Sequence, residues 1–352
     1  MRVAGVLRRP RARFVAALAA LGILIACLGS GRPRLAAGEP TCVAATETNI
    51  QWRRLSAENE RRSLDWWCAG VGGSILQEGS ETSETLAAPF AVVSWNTHVG
   101  AGDLDVFIAD LRAGRLTGNP VRDFVLLLQE TYRSGDAVPE TRSVRWASAI
   151  FGAGERSSRV EATRLAERLG LAALYIPSMR NGPPGITSED RGNAILSTAR
   201  LHDSGALELP LERQRRVAVA ATVMVHDAGA APLPVRFVST HFTNMVMHHA
   251  WILSESGRLR QARALSQALP AEGPVILGGD LNSWFGYRDA AYRELAGKLS
   301  RAASEDRRAT FGPMRLDHLL FRLPEGWRAD LRRADRKYGS DHYPLVALIE
   351  RR

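Results

Sequence analysis

A chain of 352 residues, 45% hydrophobic and 24% charged, is long enough to bury a large core and too apolar to be intrinsically disordered. Its formal net charge of +9 would point to a nucleic-acid binder if it were spread along the chain. Residues 1–38, however, hold Arg2, Arg8, Arg9, Arg11, Arg13, Arg32 and Arg34 with no acidic residue, which leaves +2 for the remainder, so net charge alone names no partner.

The arginine-rich start runs into an apolar segment, Phe14 to Ala26, that is too short for a comfortable membrane span. Together they predict an export signal over residues 1–38 and a mature protein outside the cytoplasm. Leu24-Ile25-Ala26-Cys27 resembles a bacterial lipobox, in which the cysteine is lipidated and attaches the protein to a membrane. Cleavage near Ala36-Ala37-Gly38 or retention as a short anchor are the alternatives, and Arg32 and Arg34 count against lipidation. Cys42 and Cys68 then form an even pair in an oxidising compartment, where a disulfide is the expected state. Between them Ile50, Leu55, Leu64 and Trp67 alternate with Arg and Glu in a helix-like pattern, which predicts a small stapled helical extension over residues 39 to about 73. Gln77 to Ala88 is polar, ends before Pro89 and reads as a linker, so residues 39–88 precede a main domain at 89–352.

Within that domain, short β-branched runs predict strands at Phe90 to Trp95, Phe124 to Leu128, Ala172 to Ile176, Ala194 to Ser197, Val217 to Val225, Val235 to Thr240, Val275 to Leu277, Leu316 to Phe321 and Leu345 to Ile349. Amphipathic runs predict helices at Asp103 to Ala113, Ser158 to Leu169, Ser254 to Leu269 and Arg288 to Leu299. Three strands follow one another between Ala194 and Thr240 with only loops between them, which favours antiparallel pairing and excludes a doubly wound parallel sheet. The expected class is α/β, with two packed mixed β-sheets flanked by helices.

Polar residues collect where these strands end. Asn96 follows Val92-Val93-Ser94-Trp95, Glu130 follows Leu126-Leu127-Leu128-Gln129, and His241 follows Phe237-Val238-Ser239-Thr240. Asp280 and Asn282 follow Val275-Ile276-Leu277-Gly278-Gly279, while Asp317 and Asp341-His342 stand at the remaining two ends. Taken singly, each has a plain structural explanation as a turn former, a loop cap or a hydrogen-bonded core histidine. Six such sites in this order are harder to assign to turns.

Trp95-Asn96, Gln129-Glu130, Arg191-Gly192-Asn193-Ala194, Ser239-Thr240-His241, Gly279-Asp280-Leu281-Asn282, Leu316-Asp317-His318 and Ser340-Asp341-His342 carry a resemblance to the endonuclease/exonuclease/phosphatase family of metal-dependent phosphoesterases, extending from Pro89 to about Glu350. The resemblance implies a four-layered α/β sandwich. It implies Glu130 as the principal ligand of Mg²⁺ (or Mn²⁺), with Asn96 beside it and Asp341 at the same or a second metal position, in keeping with the preference of hard cations for oxygen. His342 is then the general base, Asp317 its orienter, Asp280 the residue that aligns the nucleophile, and Asn282 and His241 donors to phosphate oxygens. Family members often orient the histidine equivalent to His241 with an acidic residue, for which Asp190 is the candidate and Glu189 the alternative.

For the substrate, an exported nuclease acting on DNA or RNA, a sphingomyelinase-like lipid phosphodiesterase and an inactive binding module all fit this frame. Nucleic acid is preferred because Arg133, Arg180, Arg191, Arg213, Arg215 and Arg216 lie near the motifs and a polymer needs several phosphate contacts, although Arg213 to Arg216 also fits a solvated hairpin end. Met245-Val246-Met247 with Trp251, and Trp284-Phe285, are candidate projections for stacking on bases or reaching a lipid surface. His248 and His249 show no ligand spacing, and no obligate protein partner is evident.

Overall fold

The computed structural model describes residues 49–54, 57–139, 159–182, 187–227, 231–244 and 256–351. The expected export segment, Cys27, Cys42, Met245 to Met247, His248, His249 and Trp251 lie outside the described residues. In chain order the elements are β1 (Gln51–Arg54), α1 (Arg61–Cys68), β2 (Ile75–Gln77), β3 (Thr85–Ala87), β4 (Phe90–Asn96), α2 (Leu104–Arg112), β5 (Phe124–Ser134), α3 (Ala162–Arg168), β6 (Ala172–Arg180), β7 (Glu189–Ser197) and β8 (His202–Glu208). They continue with β9 (Val217–His226), β10 (Leu233–His241), α4 (Ser256–Ala268), β11 (Val275–Asp280), α5 (Ala290–Ala296), β12 (Ser304–Glu305), β13 (Asp317–Arg322), β14 (Trp327–Arg333) and β15 (Leu345–Arg351).

One sheet runs β1-β8-β9-β10-β11-β13 with β3 also paired to β9, and the other runs β12-β14-β15-β4-β5-β7-β6-β2. Both are mixed: β10 and β4 each have one parallel and one antiparallel neighbour. The two-residue alternation of each strand builds the layers. Val217, Val219, Ala221, Val223 and Val225 of β9 face inward and meet Val92, Val125, Leu127 and Ile195 of the opposite sheet. Ala218 and Ala220 face outward under α4 and α5, with Leu265 and Leu295. Val93, Trp95, Leu126 and Leu128 face the other way, under α2 and α3, with Phe107 and Leu165. Burying one such side chain contributes roughly 1.5–3 kcal/mol, so the inner row of β9 outweighs any surface ion pair in this chain. The result is the expected sandwich of helices, sheet, sheet and helices. Its sheets approach closely at Gly278, where a Cβ would lie 2.8 Å from Leu127 Cδ1 and 2.9 Å from Ser94 Cβ.

The N-terminal extension is woven into this sandwich. β1 pairs in parallel with β8, β2 pairs with β6, and β3, within the segment read as a linker, pairs with β9. Strands of three or four residues are too short to show a period in the sequence. The extension is also tied down by charge, since Glu60 Oε2 accepts from Leu211 N at 2.9 Å and Gly72 N donates to Asp190 Oδ2 at 2.9 Å. Cys68 is buried at the end of α1 with Leu64. A bridge from Cys42 to Cys68 would close a loop of about 25 residues and stabilise the fold by about 3 kcal/mol. Mass spectrometry of the unreduced protein is expected to find that bridge; alkylatable thiols at both positions would refute it.

Candidate functional site

The inner row of each strand is apolar until it leaves the core, and at one end of the sandwich polar residues take over. Asn96 continues Phe90, Val92 and Ser94 of β4, and Asp317 begins the row of Leu319 and Phe321 in β13. His241 stands opposite Asp280 in the parallel pairing of β10 with β11, and Asp280 opposite Asp317 in the antiparallel pairing of β11 with β13. Adjacent strands lie about 4.8 Å apart, so side chains that share a face and a row must meet. His241 Nε2 lies 3.5 Å from Asp280 Oδ2, and Asp280, Asp317 and His342 bring ligand-type atoms within 4.8 Å of one another.

His342 arrives from the loop before β15. Its backbone N donates to Ser340 Oγ at 3.1 Å, that hydroxyl donates to Asn96 O at 2.7 Å, and Trp95 Nε1 donates to His342 O at 3.2 Å. The ring places Nδ1 2.8 Å from Asp317 Oδ2. A carboxylate only accepts, so Nδ1 carries a proton and Nε2 faces the cavity, 3.9 Å from both Asp280 Oδ2 and Asp341 Oδ1. Burial works against the charged imidazole, but Asp317, Asp280 and Asp341 outweigh it and push its pKa up to about 10. Burial, with Asp317 alongside, pushes the Asp280 carboxyl upward. Asp280 is held from two sides, by Asn282 N at 2.9 Å and Asn96 Nδ2 at 3.0 Å. Asn282 in turn donates from Nδ2 to Phe242 O at 2.9 Å.

Two of these positions bend the backbone against its preference. Glu130, at a register shift where β5 pairs with β7, has φ 50°, and Asn282 has φ 47°. Left-handed backbone at a residue other than glycine costs of order 1 kcal/mol or more and persists where the surroundings demand it.

Asp190 is not brought to His241. It sits on β7 in phase with Ala194 and Leu196, which pack beneath the helices of its own sheet. There it is buried against Arg133, whose Nε donates at 3.0 Å and whose Nη2 also donates, and against the Tyr175 hydroxyl at 2.6 Å. Glu189 is taken by Asn181 Nδ2 at 2.9 Å and Arg159 Nη1 at 3.2 Å. The group beside His241 Nδ1 is instead Arg216, with Nη1 at 3.2 Å. Burial and then Arg216 and Arg191 hold the His241 pKa well below the ordinary histidine range, so the ring is neutral.

The residues expected to hold a cation present oxygen. Asp341 Oδ1 is buried without a hydrogen-bond partner among the described residues, while Oδ2 lies 3.1 Å from His98 Nδ1. Among the described residues Asn96 Oδ1 accepts only from His98 N at 3.0 Å and keeps a lone pair, and Glu130 Oε2 lies 3.3 Å from Arg191 Nη1. Glu130 and Asp341 both act electrostatically on His98 and help raise its pKa above the ordinary histidine range, the hydrogen bond from Asp341 most of all. Such a donor set fits Mg²⁺ or Mn²⁺. Asp280, Asp317 and His342 form a second group of ligand-type atoms, within 4.8 Å of one another, in which Asp317 Oδ1 is buried without a hydrogen-bond partner among the described residues; the Nδ1–Asp317 hydrogen bond suits this group to proton handling.

Several contributors were invisible in the sequence. Thr310 Oγ1 accepts from both Leu316 N and Asp317 N at 3.1 Å, and the Phe311 ring lies 4.8 Å from that of His342. Gln129 Nε2 donates across the sheets to Ser239 Oγ at 3.0 Å. Arg216 could have been found from the β9–β10 register: Ser239 pairs with Val219, so two residues further on His241 meets the start of β9.

No curated protein matches the sequence. Among solved structures, an endonuclease/exonuclease/phosphatase from Beutenbergia cavernae is 18% identical with a TM-score of 0.51, the match covering 74% of this chain and 71% of that one. A family protein from Leptotrichia buccalis is 14% identical over 74% of this chain and 99% of that one, with a TM-score of 0.48. Sphingomyelinase C from Streptomyces griseocarneus is 18% identical over 74% and 99%, with a TM-score of 0.40. The sequence model of the endonuclease/exonuclease/phosphatase family matches residues 93–342, which span every strand-end residue described above. The chain belongs to that family, whose members are generally phosphoesterases and typically depend on a divalent metal.

Proposed function

We propose that the protein is an exported Mg²⁺-dependent phosphodiesterase that cleaves nucleic acid by attack of water on phosphorus. The observation that carries the reading is the His342–Asp317 pair, with Nδ1 held at 2.8 Å and Nε2 left facing Asp280 and Asp341. In its neutral form His342 takes a proton from water at Nε2 as the oxygen bonds to phosphorus, the bond from phosphorus to the ester oxygen breaks, that oxygen takes a proton from solvent, and the imidazolium returns its proton to solvent. Asp317 fixes the tautomer, Asp280 orients the attacking water, and Asn282 and His241 donate to the phosphate oxygens as their charge grows. A cation held by Glu130, Asn96 and Asp341 would polarise the phosphate and neutralise developing charge.

The arginines that support a polymeric substrate differ from those read in the sequence. Arg133 is spent on Asp190, Arg215 on Glu208 and on backbone oxygens of Pro177 and Ser178, and Arg191 on Glu130. Arg301 and Arg307 are exposed, hold their guanidiniums 5.7 and 5.8 Å from the Tyr287 ring just beyond Asn282, and pair with no carboxylate among the described residues. Phe285, 48% exposed on the same loop, supplies a face for base stacking and is also the observation that favours a lipid headgroup as the second reading.

The test is hydrolysis of plasmid DNA, RNA, sphingomyelin vesicles and bis-p-nitrophenyl phosphate in Mg²⁺. Nicking of DNA should weaken steeply with salt, and reversing the charge of Arg301 and Arg307 together should raise KM and flatten that slope by about two phosphate contacts. Brisk sphingomyelin hydrolysis without nicking at low salt would transfer the site to the lipid reading.

A further inference from the structure

We propose that Arg216 sets the tautomer of His241, donating from Nη1 to Nδ1 so that the single ring proton sits on Nε2, toward the phosphate. The inference rests on the phosphodiesterase reading only for its consequence, not for its geometry. Arg216 Nη1 stands 3.2 Å from His241 Nδ1, whereas Glu130 Oε1, the nearest carboxylate oxygen to that nitrogen among the described residues, is 3.9 Å away, beyond hydrogen-bond range. A guanidinium has donors and no acceptor, so Nδ1 must present its lone pair. Nε2 then bears the hydrogen, and the oxygen it faces, Asp280 Oδ2 at 3.5 Å, is an acceptor.

An acidic orienter would do the reverse. A carboxylate at Nδ1 draws the proton to that nitrogen and raises the basicity of Nε2, as Asp317 does for His342. Within one pocket the chain therefore uses opposite partners to prepare two histidines for opposite work: His342 to accept a proton, and His241 to keep one and offer it as a hydrogen bond to a phosphate oxygen.

Arg216 also has the features of a charge held for a ligand. It is 4% exposed, its Nη2 reaches only the neutral Gln214 Oε1 at 3.3 Å, its Nε has no hydrogen-bond partner, and it makes no ion pair among the described residues. Glu130 and Asp280 favour its charge only from beyond ion-pair distance, burial outweighs them, and an anion arriving beside His241 would relieve that cost.

The direct test is long-range proton–nitrogen NMR of the folded wild-type protein labelled in histidine, at neutral pH with Mg²⁺ present. The expected spectrum shows His241 with Nε2 protonated and Nδ1 as a bare acceptor; a proton on Nδ1 would overturn the proposal. This measurement needs no substrate and no variant that must fold, so it decides the proton position even if the phosphodiesterase reading fails. The kinetic test compares Arg216→Gln, which still offers a donor to Nδ1, with Arg216→Glu, which offers an acceptor. Arg216→Glu should move the proton to Nδ1 and lower kcat by about 10²–10³-fold with little change in KM, and Arg216→Gln should retain the wild-type tautomer and lose less. Equal losses from both, with the tautomer unmoved in each, would reduce Arg216 to a structural residue.

Discussion

His342→Ala is expected to lower kcat by about 10²–10⁴-fold and leave KM near its starting value, because a general base acts in the transition state and adds little to ground-state binding. The ring is fixed by Asp317, by the tilted contact with Phe311 and by two hydrogen bonds of its backbone, so its removal should not reshape the neighbouring strands. The pH profile carries a second signature. Burial opposes the charged ring but the surrounding carboxylates prevail, pushing the His342 pKa up to about 10, and only the neutral ring accepts a proton. Activity should accordingly rise with pH. Asp317→Asn removes the anion that contributes most to that rise, so the ascending limb should move to lower pH while the plateau falls. A limb that stayed in place in Asp317→Asn, or full activity in His342→Ala, would show the assignment of the base to be wrong.

Excess chelator is expected to abolish hydrolysis, and added Mg²⁺ or Mn²⁺ to restore it. Glu130→Ala should behave like the chelated protein even in saturating Mg²⁺, because it deletes a charged oxygen donor and frees Arg191 at the site. The loss expected is at least of the order of 10³-fold, since positioning and neutralising a phosphoryl group together supply several kcal/mol of the barrier reduction. Circular dichroism should remain unchanged, which separates loss of the cation from loss of fold. Undiminished turnover in chelator would sink the mechanism.

The sequence read well where a two-residue period was long enough to be seen. The nine expected strands correspond to β4, β5, β6, β7, β9, β10, β11, β13 and β15, several of them longer at one end than expected. β8 was missed because Asp203-Ser204-Gly205 breaks its pattern, whereas β14 alternates Trp327, Ala329 and Leu331 with Arg328, Asp330 and Arg332 and could have been read from that period. The site was legible because its residues extend rows already anchored by apolar neighbours: Asp280 could be placed from Ile276, and Asp317 from Leu319 and Phe321. Asp190 went wrong for the same reason in reverse. It shares the even-numbered row of β7 with Gly192, Ala194 and Leu196, and that row, not its closeness in sequence to the Arg191-Gly192-Asn193 motif, decides the face it occupies. Arg216 was read only as a candidate phosphate contact and His98 was passed over, because each acts through a partner distant in sequence, His241 for the first and Asp341 for the second.

The pairing of β4 with β15 has a consequence for how the protein is made. Phe90 lies beside Ile349 and Ser94 beside Leu345, so a strand near the middle of one sheet waits for a partner from the far end of the chain. β1 similarly waits for β8. Non-local pairings of this kind form slowly, because a long loop must close before any contact rewards it. Until β15 is available to pair with β4, the apolar strands of that sheet depend on protection from aggregation.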